Sequence, residues 1–331
     1  MKVTIKQIAE LAGVSISTVS RVINNSKPVR DDVRKRVLEA MKETNYKPSM
    51  LESELFKAES SMIGVIIPEY SNTVLNDFIA GINNVTKLYG YDIMIGLTDE
   101  TPASELHYLN QFCGIQPRGL IFAGSPLTDE HTAILDEYGI PCVVVGQVSG
   151  RPHIPSVHVD NITASYEAVT YLISRGHREI GMIRGIGAGA VGDDRYEGYV
   201  QALTDAGLPL REDWVVESDL SVEDGTKAMS RMAGKGPLPT AVFCATDWMA
   251  IGAMNGLIDR GLRVPEDVSV FGFDGSFISS IVRPRLSTVV YSATEIGMTA
   301  TRSLVKMIKG DNAIPQHSNV NHYLAIREST R

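Results

Sequence analysis

No apolar run in this chain approaches the ~20 residues that a membrane-spanning helix needs, which excludes an integral helical membrane protein. The opening Met1-Lys2-Val3-Thr4-Ile5-Lys6 lacks the unbroken hydrophobic stretch of a secretory leader, so a cytoplasmic protein with no membrane partner is expected. Cysteine is scarce. Cys113, Cys142 and Cys244 are odd in number, widely spaced and set among apolar residues, which argues against a disulfide framework or metal cluster and predicts buried thiols. No nucleophile with a base and an orienting partner stands out, nor any metal-ligand spacing, and no cofactor is expected. Net positive charge is missing too: the formal charge is −8, which by itself argues against a nucleic-acid partner.

The distribution of charge reverses that last argument. Residues 1–50 carry ten Lys or Arg against five Asp or Glu, a surplus of +5 inside an acidic chain. Basic residues gathered on one small unit are the footprint of a DNA-binding head on a soluble sensor. At 331 residues, 44% apolar and 21% charged, the composition is that of a globular protein too long for one core.

Thr4 followed by Gln7 forms a capping box, which starts a helix carrying Ile5, Ile8, Ala9, Leu11 and Ala12 at helical spacing. Gly13 suits a sharp turn, and Ser15 can cap a second helix whose inward residues are Val19, Val22 and Ile23. A third helix is predicted over Asp31–Lys42, with Val33, Val37, Leu38 and Met41 inward. This pattern is a helix-turn-helix. The outward residues of its second helix are Ile16, Ser17, Ser20 and Arg21, offering hydroxyls for phosphate oxygens and a guanidinium that can take a guanine edge. The rival reading is a plain three-helix bundle with an idle polar face.

The run Thr4-Ile5-Lys6-Gln7-Ile8-Ala9-Glu10-Leu11-Ala12-Gly13-Val14-Ser15 and its continuation Ser17-Thr18-Val19-Ser20-Arg21-Val22-Ile23-Asn24-Asn25 closely resemble the head of the lactose/galactose-repressor family. The resemblance implies that Ile16, Ser17 and Arg21 read bases, while Ser15, Thr18, Ser20 and Asn24 position the head on phosphates; Thr4, at the first helix start, belongs to the same DNA-binding set. In that family a Tyr-x-Pro-Asn segment leads into a hinge helix whose Leu wedges into the minor groove. Tyr46-Lys47-Pro48-Ser49 opens such a segment here, and Leu55 stands at the wedge position. Glu52, Ser53, Glu54 and Phe56 replace the usual small and basic residues, and carboxylates near phosphates oppose insertion. Two readings stay open: Leu55 inserts, or the linker only tethers the head.

From Met62 onward, short apolar runs alternate with helix-period segments. Strands are expected at Ile63–Ile67, Asp92–Gly96, Gly119–Ala123, Cys142–Gly146, Val157–Val159, Ile180–Ile183, Trp214–Val216, Ala241–Cys244 and Val268–Phe271, with helices such as Ala164–Ser174 and Asp247–Asp259 between. Alternation of this kind predicts parallel sheets. The fold class expected is an all-α helix-turn-helix head plus an α/β periplasmic-binding-protein-like sensor of two Rossmann-like lobes. The division is 1–47 for the head, 48–60 for the hinge and 61–331 for the sensor. Its lobes are expected at approximately 61–160 plus 290–320, and 161–289 plus 321–331.

The family resemblance extends through this region on Ile63-Gly64-Val65-Ile66-Ile67-Pro68, Val159-Asp160-Asn161, Gly176-His177-Arg178-Glu179-Ile180, Arg195-Tyr196-Glu197-Gly198-Tyr199, Thr246-Asp247-Trp248 and Phe271-Gly272-Phe273-Asp274. Ile154-Pro155-Ser156-Val157 and Val282-Arg283-Pro284 are similar to the family's catabolite-control branch. The resemblance implies a sugar or related small-molecule effector between the lobes, clamped by Arg195 and Asp274 with Thr246 as a further polar contact. Asp247 is read as a helix cap and His177 as a turn residue. The family's usual rings are absent: Thr73-Val74-Leu75 follows Ser71-Asn72, Leu220 replaces a stacking ring, and Tyr291 takes a common Gln position. Trp248 is a candidate to supply the missing aromatic surface, with a core role as its alternative.

A homodimer on a pseudo-palindromic operator in double-stranded DNA follows from a head that reads one half-site, and repression is the expected output. The absence of leucine heptads beyond the sensor speaks against a tail-mediated tetramer. Two rivals stand beside this reading. Control by a protein corepressor, as in the catabolite-control branch, would use a surface including Arg302 or Arg327. A nucleotide-dependent enzyme is suggested by Gly187-Ala188-Gly189-Ala190-Val191-Gly192, though Asp193 and Asp194 suit no pyrophosphate.

Overall fold

A computed structural model describes residues 4–24, 29–44, 61–69, 73–99, 101–185, 189–311 and 313–331. Leu55, Glu52, Glu54 and the Tyr46 segment lie outside the described residues, as do the side chains of Ile23 and Asn24. The architecture is the expected one, a helix-turn-helix followed by an α/β sensor with two sheets.

In the head, α1 (Ile5–Ala12) starts at the expected box: Gln7 N–H donates to Thr4 Oγ1, and Thr4 N–H donates to Gln7 Oε1 at 2.9 Å. Gly13 ends it in the left-handed region at φ 64°, and Val14 N–H returns to Ala9 O. Ser15 Oγ then accepts from Thr18 N–H at 3.2 Å and opens α2 (Ile16–Asn24). The third helix, α3 (Asp31–Glu43), closes a small core of Ile8, Ala9, Ala12, Val19, Val22, Val37 and Ala40. Val33, expected inward, is only half-buried and outside this cluster, and two further expected core residues are exposed. Leu11 is 61% exposed and Leu38 50% exposed. Each lies roughly 100° round its helix from the buried seam, because each residue advances ~100° at 3.6 residues per turn. Ala40 takes the place Leu38 was assigned.

The sensor opens with β1 (Met62–Pro68), α4 (Thr73–Tyr89), β2 (Asp92–Thr98), α5 (Pro102–Ile115), β3 (Gly119–Phe122), α6 (Asp129–Tyr138), β4 (Cys142–Val145) and β5 (Ser156–His158). These strands stand in the order β2-β1-β3-β4-β5, all parallel. Buried on both faces, β1, β3 and β4 read as continuous apolar runs. The second sheet repeats the plan. It uses α7 (Asn161–Ser174), β6 (Ile180–Gly185), α8 (Gly189–Asp205), β7 (Val215–Ser218), α9 (Val222–Gly234), β8 (Ala241–Cys244), α10 (Asp247–Ile258), β9 (Ser269–Asp274), α11 (Phe277–Ile281) and β10 (Ser287–Tyr291), in the order β7-β6-β8-β9-β10. Strand β7 begins after Trp214 because Glu212–Trp214 forms a 3₁₀ turn.

The chain then returns to the first lobe. Helix α12 (Ala293–Ile308) packs on the first sheet, β11 (His317–Asn319) pairs in parallel with β5, and β12 (His322–Ala325) pairs antiparallel with β10. Strands β10, β11 and β12 went unforeseen; β11 and β12 are short edge strands too polar to show as apolar runs. The chain therefore passes between lobes three times: after β5, after β10 and between β11 and β12.

Helices α4 and α12, far apart in sequence, touch backbone to backbone. A Cβ on Gly81 would meet Thr294 O at 2.2 Å, and one on Gly297 would meet Phe78 O at 2.3 Å. Only hydrogen at both positions permits this approach. Phe78 and Ile296, on these two helices, stand together in the wall of the cavity between the lobes.

Candidate functional site

Both sheets share the strand order 2-1-3-4-5, which places ligands beyond the carboxyl ends of the strands where the order reverses. A cavity of about 210 Å³ lies there. Its walls come from the ends of β1 (Ile67, Pro68), β3 (Ala123, Gly124) and β4 (Val145, Gly146, Gln147), and across the gap from Thr246, Asp274 and Tyr291. Val74, Leu75, Leu220, Val191 and Arg195 complete much of the remaining wall.

Arg195 is the hub. Its Nε donates to Asn161 Oδ1 at 3.0 Å and its Nη1 to Ala245 O at 2.5 Å. Nη1 also stands 3.2 Å from Asp274 Oδ1, and the guanidinium lies over the Phe273 ring at 3.6 Å. Tyr291 OH donates to the same Asp274 oxygen at 3.2 Å. Burial raises the Asp274 carboxyl, an effect that Arg195 partly offsets. Asp274 also holds φ 116°, a strained backbone position for a residue with a Cβ.

Asp247 departs from its expected role. The helix cap is Thr246, whose side chain accepts from Met249 N–H at 3.2 Å. Asp247 sits one residue inside and is fully buried. Its Oδ2 accepts from Ser276 N–H and Ser276 Oγ, both at 2.7 Å, and its Oδ1 accepts from Thr288 Oγ1 at 2.5 Å. Burial and the neighbouring Asp274 charge raise its carboxyl above the usual range, against those hydrogen bonds. Trp248 does not line the cavity, and its Nε1 is buried without a hydrogen-bond partner among the described residues. The missing rings are therefore not replaced by it. The expected turn role of His177 fits what surrounds it: it follows Gly176 at φ 96°, with Nδ1 3.0 Å from Thr240 Oγ1.

Two supports of the cavity had no signal in the sequence. Gln147 Nε2 donates to Gly124 O at 2.7 Å and to Ser125 O at 3.0 Å. Behind that loop, buried Glu105 accepts from Ser125 N–H at 2.7 Å and from Ser125 Oγ at 2.5 Å. His131 Nδ1 accepts from Thr128 N–H, which leaves Nε2 facing Glu105 Oε2 at 3.5 Å. Burial would raise the Glu105 carboxyl, but the His131 and Ser125 contacts outweigh it and hold it below the ordinary range.

On the head, α2 presents Ile16, Ser17 and Arg21 outward, with Thr18 partly covered. Ser15 Oγ lies 2.8 Å from both Ser17 Oγ and Thr18 Oγ1, so the hydroxyls at the helix start form one cluster. Ser20 corrects the expectation. It is 6% exposed and does not stand outward.

Residues 4–49 match the model for bacterial regulatory proteins of the lacI family, and residues 169–330 match a periplasmic binding protein-like domain. Catabolite control protein A of Priestia megaterium is 35% identical over 332 residues, covering 100% of both chains. This chain belongs to the lacI family of bacterial regulatory proteins. The HTH-type transcriptional regulator RegA of Clostridium saccharobutylicum is 33% identical, again over 100% of both chains. Among solved structures, the lac repressor dimer bound to operator and the anti-inducer ONPF is similar at TM-score 0.79 and 26% identity, over 100% of this chain and 99% of that one. The transcriptional regulator CelR–cellobiose complex is similar at TM-score 0.76 and 29% identity, over 99% and 100%.

The chain is thus a DNA-binding regulator related to the catabolite-control branch, and its fold and relatives are regulatory. At the glycine-rich segment, residues 186–188 lie outside the described residues. The first turns of α8 beyond it are acidic: Asp193 pairs with Arg184, and burial together with Glu197 and Asp193 raises the Asp194 carboxyl. Of the two arginines considered for a protein partner, Arg302 is exposed on α12 in the first lobe. Arg327 belongs to the second lobe, where Nη1 donates to Ser279 Oγ and Leu286 O. No helix among the described residues is long and apolar enough to cross a membrane.

Proposed function

We propose that this lacI-family regulator is a homodimeric repressor that reads a pseudo-palindromic operator and is controlled by a small molecule in the inter-lobe cavity. The observation that carries the reading is the outward Ile16-Ser17-Arg21 face on a basic helix-turn-helix. Ile16 suits a thymine methyl and Arg21 a guanine edge, while Thr4, Ser15 and Thr18 suit phosphates; Asn24 ends the same helix, and Leu55 is the wedge candidate of the linker. The units are the head at 1–47, the hinge at 48–60 and the sensor at 61–331. Arg195, Thr246, Asp274 and Tyr291 are the polar effector contacts. A carbohydrate or its derivative is the class favoured by likeness to a cellobiose-bound regulator. The effector acts by shifting the population of lobe arrangements that set the two heads on their half-sites.

Selection of bound sequences from a random DNA pool, with and without a carbohydrate panel, tests this. A twofold-related site whose recovery changes with one sugar is the expected result. Failure to recover any such site would overturn the operator reading. A site that no small molecule affects would leave control by a protein corepressor standing instead.

A further inference from the structure

We infer that the effector is an uncharged small molecule with one hydroxyl-bearing polar end and an apolar body, and not a phosphorylated sugar or other ion. The inference rests on the cavity being the effector site and adds what that site can accept.

Among the described residues, the only charged groups lining the cavity are Arg195 and Asp274, and they are paired with each other at 3.2 Å. Arg195 is further committed to Asn161 and Ala245 O, and Asp274 to Tyr291. A ligand therefore meets a closed ion pair, a dipole that offers both donor and acceptor. A hydroxyl, which both donates and accepts, suits a dipole. An anion, whether it displaces Asp274 or docks on the Nη2 edge of Arg195, gives the buried cluster a net negative charge beside Asp274 and Asp247. A cation on Asp274 Oδ2 likewise gives it a net positive charge beside Arg195. Burying an uncompensated charge is strongly unfavourable in either direction.

The opposite wall fixes the rest of the ligand. Val74, Leu75 and Phe78 from α4 and Ile296 from α12 present hydrocarbon, which suits an apolar face or substituent of the ligand. Gln147, the polar residue on that side, already has its amide nitrogen on two carbonyls of the first lobe. At about 210 Å³ the cavity is smaller than the ~300–1,000 Å³ usual for drug-sized ligands, which favours a single substituted ring.

Three probes that share one ring test the charge rule on the full chain: benzyl alcohol, benzylamine and benzoate, titrated by ligand-observed NMR. Benzyl alcohol is expected to bind at least tenfold more tightly than either ion. Its signal should vanish in Leu220→Trp, which fills the cavity, and in Val191→Phe, which fills it from another wall. Circular dichroism melts identify a variant that fails to fold. Equal or tighter binding of benzoate or benzylamine overturns the inference, as does binding that survives both fillings in folded protein, or absence of benzyl alcohol binding. Operator affinity separates this from the effector reading. If glucose 6-phosphate releases operator through the cavity, the charge rule fails and the effector reading stands. If benzyl alcohol occupies the cavity and no cavity ligand alters operator affinity, the charge rule stands and the effector reading fails.

Discussion

Replacing Arg195 by methionine removes the cation from a buried cluster that holds two carboxylates. Arg195 and Asp274 are 7% and 6% exposed in their side chains, so water does little to compensate. Truncating one partner of such a pair costs about 3–5 kcal/mol, because the other charge stays buried and unpaired. The lost bonds to Asn161 Oδ1 and Ala245 O act in the same direction. Asp274→Asn alone removes a charge that Arg195 neutralises, and should also destabilise. The double variant R195M/D274N leaves neither charge stranded, so its cost should fall short of the sum of the two single costs by roughly 1–3 kcal/mol, the coupling seen between contacting residues. Urea unfolding of the full chain, followed by circular dichroism, measures all four corners of the cycle. The R195M penalty should also be smaller at pH 5 than at pH 8, because the stranded Asp274 can then take a proton. An R195M cost below about 1 kcal/mol, or an additive double variant, would refute the closed ion pair on which the ligand class depends.

Arg21→Ala should weaken binding to the selected operator by about 1–3 kcal/mol and relax preference at one base position, checked by fluorescence anisotropy on site variants. Asp247 has its carboxyl raised by burial and Asp274, so the native state holds that proton more tightly than the unfolded chain. Stability from this group is therefore greatest at low pH and falls as pH rises above the ordinary carboxylate range. Melting temperatures from pH 5 to 8 should decline more for the natural chain than for Asp247→Asn, and a pH-independent difference would contradict the assignment. Gly297→Ala places a methyl against Phe78 O and should destabilise by about 1–3 kcal/mol in urea unfolding. The three thiols are buried, with Cys113 pushed up to about 11 and Cys142 to about 12, so Ellman's reagent should find none of them until denaturant is added.

Local physics explains which parts were readable. The Thr4–Gln7 box, the Gly13 turn and the Ser15 cap depend on residues within a few positions of each other, and all three stand where the spacing put them. Arg195 and Asp274 were visible only through family resemblance, and the structure does bring them together. Their supports were hidden. Asn161 and Ala245 lie 34 and 50 residues from Arg195, and Glu105 lies 20 from Ser125; no spacing announces contacts that only packing creates. Apolar periodicity also misjudged margins. It put Leu38 inward and Ser20 outward, because a helix seam is chosen by what packs against it. The short strands β11 and β12 escaped because pairing, not hydrophobicity, makes them strands.

The late return of the chain to both lobes has a consequence for biosynthesis. Sheet one awaits α12 and β11, and sheet two awaits β12 together with Ser329, which donates to Val270 O and accepts from Ser287 N–H. Translation proceeds at ~5–20 residues per second, so 331 residues occupy the ribosome for roughly 15–65 s. From its own synthesis until β11 and β12 emerge, each of β5 and β10 is an unpaired edge on the nascent polypeptide, open to wrong partners. The DNA-reading head, whose helices end at Glu43, can fold within the first seconds. Each new molecule therefore emerges with its reader formed before its sensor.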